Sequence, residues 1–154
     1  MNEYMKKAIE VAEENLNNNA GGPFGACIIK DGKVIASSSN QVLKNNDPTA
    51  HAEIQTIREA CQKLNTYDLS SCELYTTCYP CPMCLSAIIW ANINHVYYGN
   101  TKEDAAMIGF RDDMIYDYIK HNNNSEILKL KSLDRDYTIK TFQKFKEKED
   151  KTIY

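Results

Sequence analysis

The segment HAEIQTIREA, residues 51–60, has the spacing of an amphipathic helix, yet it opens on a histidine and a glutamate with one alanine between them. On a regular helix, residues two apart point about 200° away from each other, so in mid-helix His51 and Glu53 cannot serve one site. At a helix start they can, because first-turn side chains lean back toward the N-terminus and reach over its open end. Downstream, CYPCPMC at 78–84 crowds three of the six cysteines into seven residues, and its Pro82 suits the first position of another helix, where a missing N–H costs nothing. Cys81 then caps that helix and Cys84 lies on the same side of its first turn. A fold that uses both features must bring two helix N-termini to one spot.

His51, Cys81 and Cys84 form the ligand set of a catalytic zinc site: three protein groups and a fourth position for water. Exposed N–H groups and the helix dipole at each N-terminus favour thiolate over thiol. Cys78 competes, since it forms its own C-x-x-C with Cys81, but it lies on the strand side of the turn. A thioredoxin-like redox pair would need no upstream His-x-Glu. A structural zinc site needs a fourth protein ligand, which only Cys78 or His95 could provide by bending in. Glu53, over the helix end and two residues from a ligand, suits a carboxylate that takes a proton from metal-activated water and delivers it to a leaving group.

Around this centre the chain reads as alternating elements. Met5, Ile9, Ala12 and Leu16 recur at helical spacing, so a first helix runs over about 3–17. Two apolar runs flank Asp31-Gly32, the pair preferred by a type I′ hairpin turn. Ile54, Ile57, Cys61 and Leu64 mark one face of a second helix that ends near Asn65. CELYTT is a third strand, PMCLSAIIWAN a third helix and INHVYYG a fourth strand. Beyond Gly99, EDAAMIGF and DDMIYDYI look helical, EILKLKS is a candidate fifth strand, and TIKTFQKFKEKEDK a final amphipathic helix. Strands alternating with helices after an opening hairpin imply a mostly parallel sheet covered on both faces.

With 154 residues and 43% hydrophobic content, the chain is the size of one domain. Its net charge of −3 supplies no field to draw in a polyanion, so nucleic acid is not the expected partner and a small uncharged ligand suits it better. The N-terminus is acidic and amphipathic, and the longest apolar run, around AIIWA, is too short to cross a bilayer; the chain reads as soluble and cytoplasmic. Cys27, Cys61 and Cys72 stand among apolar neighbours as small core residues.

HAE at 51–53 and PCPMC at 80–84 match, residue for residue, the His-x-Glu and Pro-Cys-x-x-Cys signature of zinc nucleobase deaminases. Within that cytidine/deoxycytidylate deaminase superfamily the chain most resembles the bacterial guanine deaminases, almost end to end: GGPFGA at 21–26, NDPTAHAE at 46–53, PCPMCLSAI at 80–88, Gly109-Phe110 followed by acidic residues, and a C-terminal tyrosine. The resemblance implies an α/β fold, a three-layer α/β/α sandwich around a mixed five-stranded sheet that opens with a β-hairpin, in a single domain over 1–154. It implies one zinc ion per subunit on His51, Cys81 and Cys84, Glu53 as proton shuttle, and hydrolysis of guanine to xanthine and ammonia; adenosine in a tRNA or cytosine is the alternative substrate, and a non-catalytic zinc module the reading from another class. Asn40 and Asp112 become contacts to the base, with Asp112 also a catalytic residue, while Phe24, Trp90 and Phe110 wall the pocket. A carboxylate at 112 accepts from N1–H and the 2-amino group of guanine and repels the ring acceptors of adenine and cytosine. The resemblance further implies a homodimer in which a C-terminal segment, about 101–154, is exchanged and Tyr154 closes the partner's pocket.

Two positions depart from that family. Tyr79 stands where a glutamate is usual. Arg111 replaces the first of the two aspartates after Gly109-Phe110, so alignment on the glycine and phenylalanine selects Asp112 for the base and alignment on the acids selects Asp113.

Overall fold

The computed structural model describes residues 1–121 and 126–154. These divide into two compact units, Met1–Tyr116 and Asp117–Tyr154. The first unit opens with α1 (Glu3–Asn18), whose N-cap Asn2 accepts from the N–H groups of Tyr4 and Met5 and whose C-cap Asn19 takes a left-handed conformation. Strands β1 (Gly25–Lys30) and β2 (Lys33–Ser39) follow, joined at Asp31 (φ 50°) and Gly32 (φ 72°), the two positive φ values that a type I′ turn requires. A short helix α2 (Val42–Asn45) precedes α3 (Ala52–Leu64), which ends at a left-handed Asn65. Then come β3 (Glu73–Cys78), α4 (Pro82–Trp90), β4 (His95–Asn100), α5 (Lys102–Met107) and α6 (Asp113–His121), with the boundary between the units falling inside α6. The last helix, α7 (Arg135–Glu147), belongs to the second unit.

The sheet has the order β2-β1-β3-β4. Strand β1 runs antiparallel to both β2 and β3, and only β3 and β4 pair parallel. The sheet is therefore mixed, and the mostly parallel arrangement expected from the alternation of strands and helices does not form. Strands β2 and β3 do run the same way, as a helical crossover requires, but β1 lies between them and turns both contacts antiparallel.

The expected fifth strand is also absent. EILKLKS lies in irregular chain, with Leu128 and Leu130 exposed, because among the described residues no strand edge pairs with it and a period-two pattern forms a strand only when its backbone finds a partner.

Alternate residues of β1 face opposite layers of the first unit. Cys27 and Ile29 meet Ala8 of α1 together with Tyr75, whereas Ile28 joins Leu74, Ala36, Ala60 of α3 and Ile88 of α4. Helices thus cover both faces, giving three layers. Cys27 and Cys72 are buried, and Cys61 packs against the core from its margin. Of the expected face of α1, Ala12 is buried and Met5 packs against the core, but Leu16 is exposed, and Ala8, Val11 and Asn15 complete the inward face. No described helix is long and apolar enough to cross a membrane. In the second unit, α7 carries Lys144 and Lys146 in its last turn and leaves Tyr137 and Phe142 exposed.

Candidate active site

His51 is the N-cap of α3 and Cys81 the N-cap of α4, with Pro82 next in line. Both helix starts deliver their side chains to one place: Nδ1 of His51 lies 3.6 Å from Sγ of Cys81 and 3.6 Å from Sγ of Cys84. A tetrahedral ion with a sulfur at about 2.3 Å and a nitrogen at about 2.0 Å separates the two by about 3.5 Å, so the donors stand where zinc would place them. Among the described residues these three form the only such group of metal-binding side chains. Cys78 is not part of it: its thiol points to the carbonyl of Thr101 at 3.5 Å, and burial pushes its pKa up to about 11. His95 sits exposed at the start of β4. Neither residue bends in as a fourth ligand, so the group leaves one corner for solvent or substrate.

The loop before α3 aims the histidine. Asp47 accepts from the N–H (2.8 Å) and hydroxyl (2.7 Å) of Thr49, and the His51 N–H donates to the Thr49 carbonyl at 2.7 Å. The Thr49 hydroxyl and N–H, with Arg58 beyond, hold the Asp47 carboxyl below its ordinary range. At the cluster the Cys84 thiol and the His51 ring bring Cys81 down to about 4, and the same shared hydrogen pushes Cys84 up. Cys81 in turn holds the His51 ring above its usual value. One sulfur is thus ready as thiolate, and the second sheds its proton when a metal takes its place.

Glu53 is buried to 6% exposure in the first turn of α3. Its Oε1 accepts from the Thr76 hydroxyl at 3.0 Å, and its Oε2 lies 3.5 Å from Cys84 Sγ. Burial raises its pKa against the opposing hydrogen bonds, the direction that suits a carboxyl which both takes and gives a proton.

A family model, the cytidine and deoxycytidylate deaminase zinc-binding region, matches residues 1–100. The chain belongs to this family. Guanine deaminase of Bacillus subtilis is 52% identical over 113 residues, covering 73% of this chain and 72% of the relative. The solved structure of guanine deaminase from that organism superposes with a TM-score of 0.94 at 42% identity, over 100% of this chain and 99% of the other. A tRNA-specific adenosine deaminase of Aquifex aeolicus is 47% identical over 76 residues, covering 49% of this chain and 50% of the relative. The family binds zinc, and the only described donor group able to hold it is the trio above.

Beside the zinc-binding group a cavity of about 680 Å³ opens within the first unit, lined among others by Phe24, Asn40, Glu53, Phe110 and Asp112. The rings of Phe24 and Phe110 meet edge to face at 5.0 Å. Asp112 faces the cavity, its pKa raised by burial and then by the Cys81 thiolate. Asp113 instead pairs with Arg111 at 2.6 Å on an exposed surface. Trp90 does not wall this cavity. It ends α4, about 12 Å along the axis from Pro82, and is 69% exposed. Tyr154 belongs to the second unit and is exposed.

Sequence reasoning missed several contributors. Thr76 carries no motif, because its partner is set by the register of β3 against α3. Tyr79 and Lys102 line the cavity together, the Lys102 ammonium standing 4.6 Å over the Tyr79 ring and 4.0 Å over that of Tyr116. The replacement of the family's usual glutamate by Tyr79 gave a signal for that cluster. Asn15 also escaped notice, although a polar residue on the buried face of a helix is itself a sign.

Proposed function

We infer that the chain catalyses the hydrolytic deamination of guanine to xanthine and ammonia. The observation that carries this reading is the convergence of His51, Cys81 and Cys84 with a buried Glu53, 3.5 Å from Cys84, beside a cavity that His51, Glu53, Cys81 and Asp112 line. Similarity to guanine deaminase over most of the chain supports the substrate, and a relative 34% identical has been solved in complex with 8-azaguanine.

His51, Cys81 and Cys84 would hold the zinc ion, which when bound would supply Lewis acidity and make water a stronger acid. Glu53 carries two protons in turn: the first passes from the attacking water to the ring nitrogen beside C2, and the second passes from the new C2 hydroxyl to the amine, so that the C2–N bond breaks, ammonia leaves and the C2–O bond becomes a carbonyl. Thr76 holds the carboxylate in place through the exchange. Asp112 accepts from N1–H and the 2-amino group, Asn40 also contacts the base, and Phe24 and Phe110 present ring faces and edges to a planar purine.

The same reading includes a cytoplasmic homodimer. All six cysteines are unpaired thiols, which suits a reducing compartment. Ile89, Trp90 and Tyr98 leave apolar surface exposed on the first unit, of the kind that subunit contact covers. In this dimer residues from about 101–154 are exchanged, Tyr154 closes the partner's cavity, and Trp90 acts at the shared face.

The test is ammonia release by the zinc-loaded protein from guanine, guanosine, adenine, cytosine and a tRNA anticodon hairpin, assayed in parallel. Turnover of guanine alone or by a wide margin is expected. Preference for the hairpin would replace the reading with tRNA editing, which the net charge of −3 disfavours.

A further inference from the structure

Asn15 sits on the inward face of α1 beside Ala8, Val11 and Ala12, and is 4% exposed. A carboxamide in that position must find partners for its two N–H bonds. It donates one to the carbonyl of Gly22 at 2.8 Å and the other to the carbonyl of Asn40 at 2.7 Å. Both acceptors belong to residues that line the cavity.

Two backbone bonds close the circuit. The Phe24 N–H donates to the Gly22 carbonyl at 2.8 Å, and the Asn40 N–H donates to the Phe24 carbonyl at 2.9 Å. Asn15, Gly22, Phe24 and Asn40 therefore form a ring of four hydrogen bonds that ties one aromatic wall of the cavity to the end of β2. Within that frame the Asn40 side chain is turned one way. Its Oδ1 accepts from the Val42 N–H at 3.1 Å, which leaves the two Nδ2 hydrogens for an acceptor on a ligand. Residue 21 has to be glycine for this, since a Cβ there would run into Asn40 Oδ1 and the Asn40 carbonyl.

The oxygen of the Asn15 amide is buried with no hydrogen-bond partner. An apolar side chain at 15 would leave no such orphan, so what the amide contributes is its pair of donors.

We propose that Asn15 is a positioning residue for base recognition: from a helix that touches no substrate it holds the Gly22–Phe24 wall and Asn40 in register, so that the Asn40 donors meet the acceptor edge of the bound purine. This rests on the deaminase reading above and deepens it. The predicted signature is a loss of ground-state recognition without a loss of chemistry, because neither the zinc ligands nor Glu53 is touched.

The experiment compares wild type, Asn15→Ala, Asn15→Asp and Ala8→Gly as full-length, zinc-loaded proteins. Asp keeps the shape at 15 but turns acceptors on two carbonyls, and it keeps the inference testable should Ala there not fold. Ala8→Gly loosens the same helix away from the cavity. Both Asn15 variants are expected to raise KM for guanine about tenfold while kcat stays within about twofold and zinc content is unchanged. They are also expected to speed amide hydrogen exchange over residues 21–25 and 40–42. Ala8→Gly should lower Tm and leave KM and that exchange alone. An unchanged KM in both Asn15 variants, or an equal rise in Ala8→Gly at equal loss of Tm, overturns the proposal. Wild-type protein that releases no ammonia from guanine would instead sink the deaminase reading; the exchange data then judge Asn15 alone, with faster exchange in its variants supporting the circuit and unchanged exchange overturning it.

Discussion

The hydroxyl of Thr76, in the middle of β3, donates to the carboxylate of Glu53 at 3.0 Å, across 23 residues of sequence. Both are buried, Thr76 to 1% exposure and Glu53 to 6%. The bond fixes which oxygen of Glu53 is occupied and turns the other toward Cys84. Thr76→Val is isosteric but cannot donate, so the carboxylate gains freedom to rotate. We expect kcat for guanine to fall about tenfold with zinc content and KM little changed, read by steady-state kinetics.

Glu53→Gln keeps the side chain's shape and removes its capacity to carry a proton. The expected loss in kcat is ~10²–10⁴, the usual contribution of a positioned acid–base group, with zinc retained at the wild-type level. Turnover at the wild-type rate would remove Glu53 from the mechanism.

The donor geometry separates three cysteines that the sequence crowds together. His51→Ala, Cys81→Ser and Cys84→Ser should each yield protein with little or no zinc by metal analysis, and a strong chelator should abolish wild-type activity. Cys78→Ala should keep its zinc, because that thiol faces the Thr101 carbonyl. Loss of metal from Cys78→Ala would mean the ligand set is misassigned.

Asp112→Asn replaces a pure acceptor with a group that presents both an oxygen and an N–H donor. Guanine then meets a donor where its own N1–H and amine need acceptors, and kcat/KM should fall by about 10². Asp113→Asn, in the exposed pair with Arg111, should change it by less than about threefold.

Acidification offers a test of the loop that aims His51. The Thr49 hydroxyl and N–H hold Asp47 below its ordinary value of 3.8. Because the folded-state pKa is the lower one, the stability contribution of Asp47 is fully present above 3.8 and is lost as pH falls through the folded-state value. Thermal melts of wild type and Asp47→Ala should therefore differ by a constant amount from neutral pH down to about 4 and converge below it. A gap that stays open at pH 2 would show that Asp47 acts through something other than its charge.

The parts legible in the sequence were those decided within a few residues. Asp31-Gly32 announces its turn because few residue pairs accept positive φ twice. His51-Ala-Glu53 and Cys81-Pro82-x-Cys84 announce two helix starts because capping and first-turn geometry are local. Asp112 and Asp113 were not separable in this way: alignment on Gly109-Phe110 selects one and alignment on the acids the other, and it is the fold that puts Asp112 on the cavity and Asp113 in a pair with Arg111.

Pairing between distant segments was not legible in the same way. Strand alternation in the sequence states that β2 and β3 run in one direction, but not that β1 slips between them, since any strand edge with the right pattern offers the same backbone groups. EILKLKS carries a strand pattern and forms none, because its backbone pairs with neither outer strand of the sheet, and a pattern within one segment does not state which edge it will meet. Trp90 reads as an aromatic wall until the length of α4 carries it away from the cavity.

The sequence by itself marked the residues of the proposed chemistry, His51, Glu53, Cys81 and Cys84, and the turns and caps that present them, because each depends on side-chain identity and spacing inside one element. Only the tertiary structure decided what steadies that chemistry. Thr76 on Glu53 and Asn15 on Gly22 and Asn40 are contacts between elements, and a hydrogen bond of about 3 Å forms only where packing brings its two ends together.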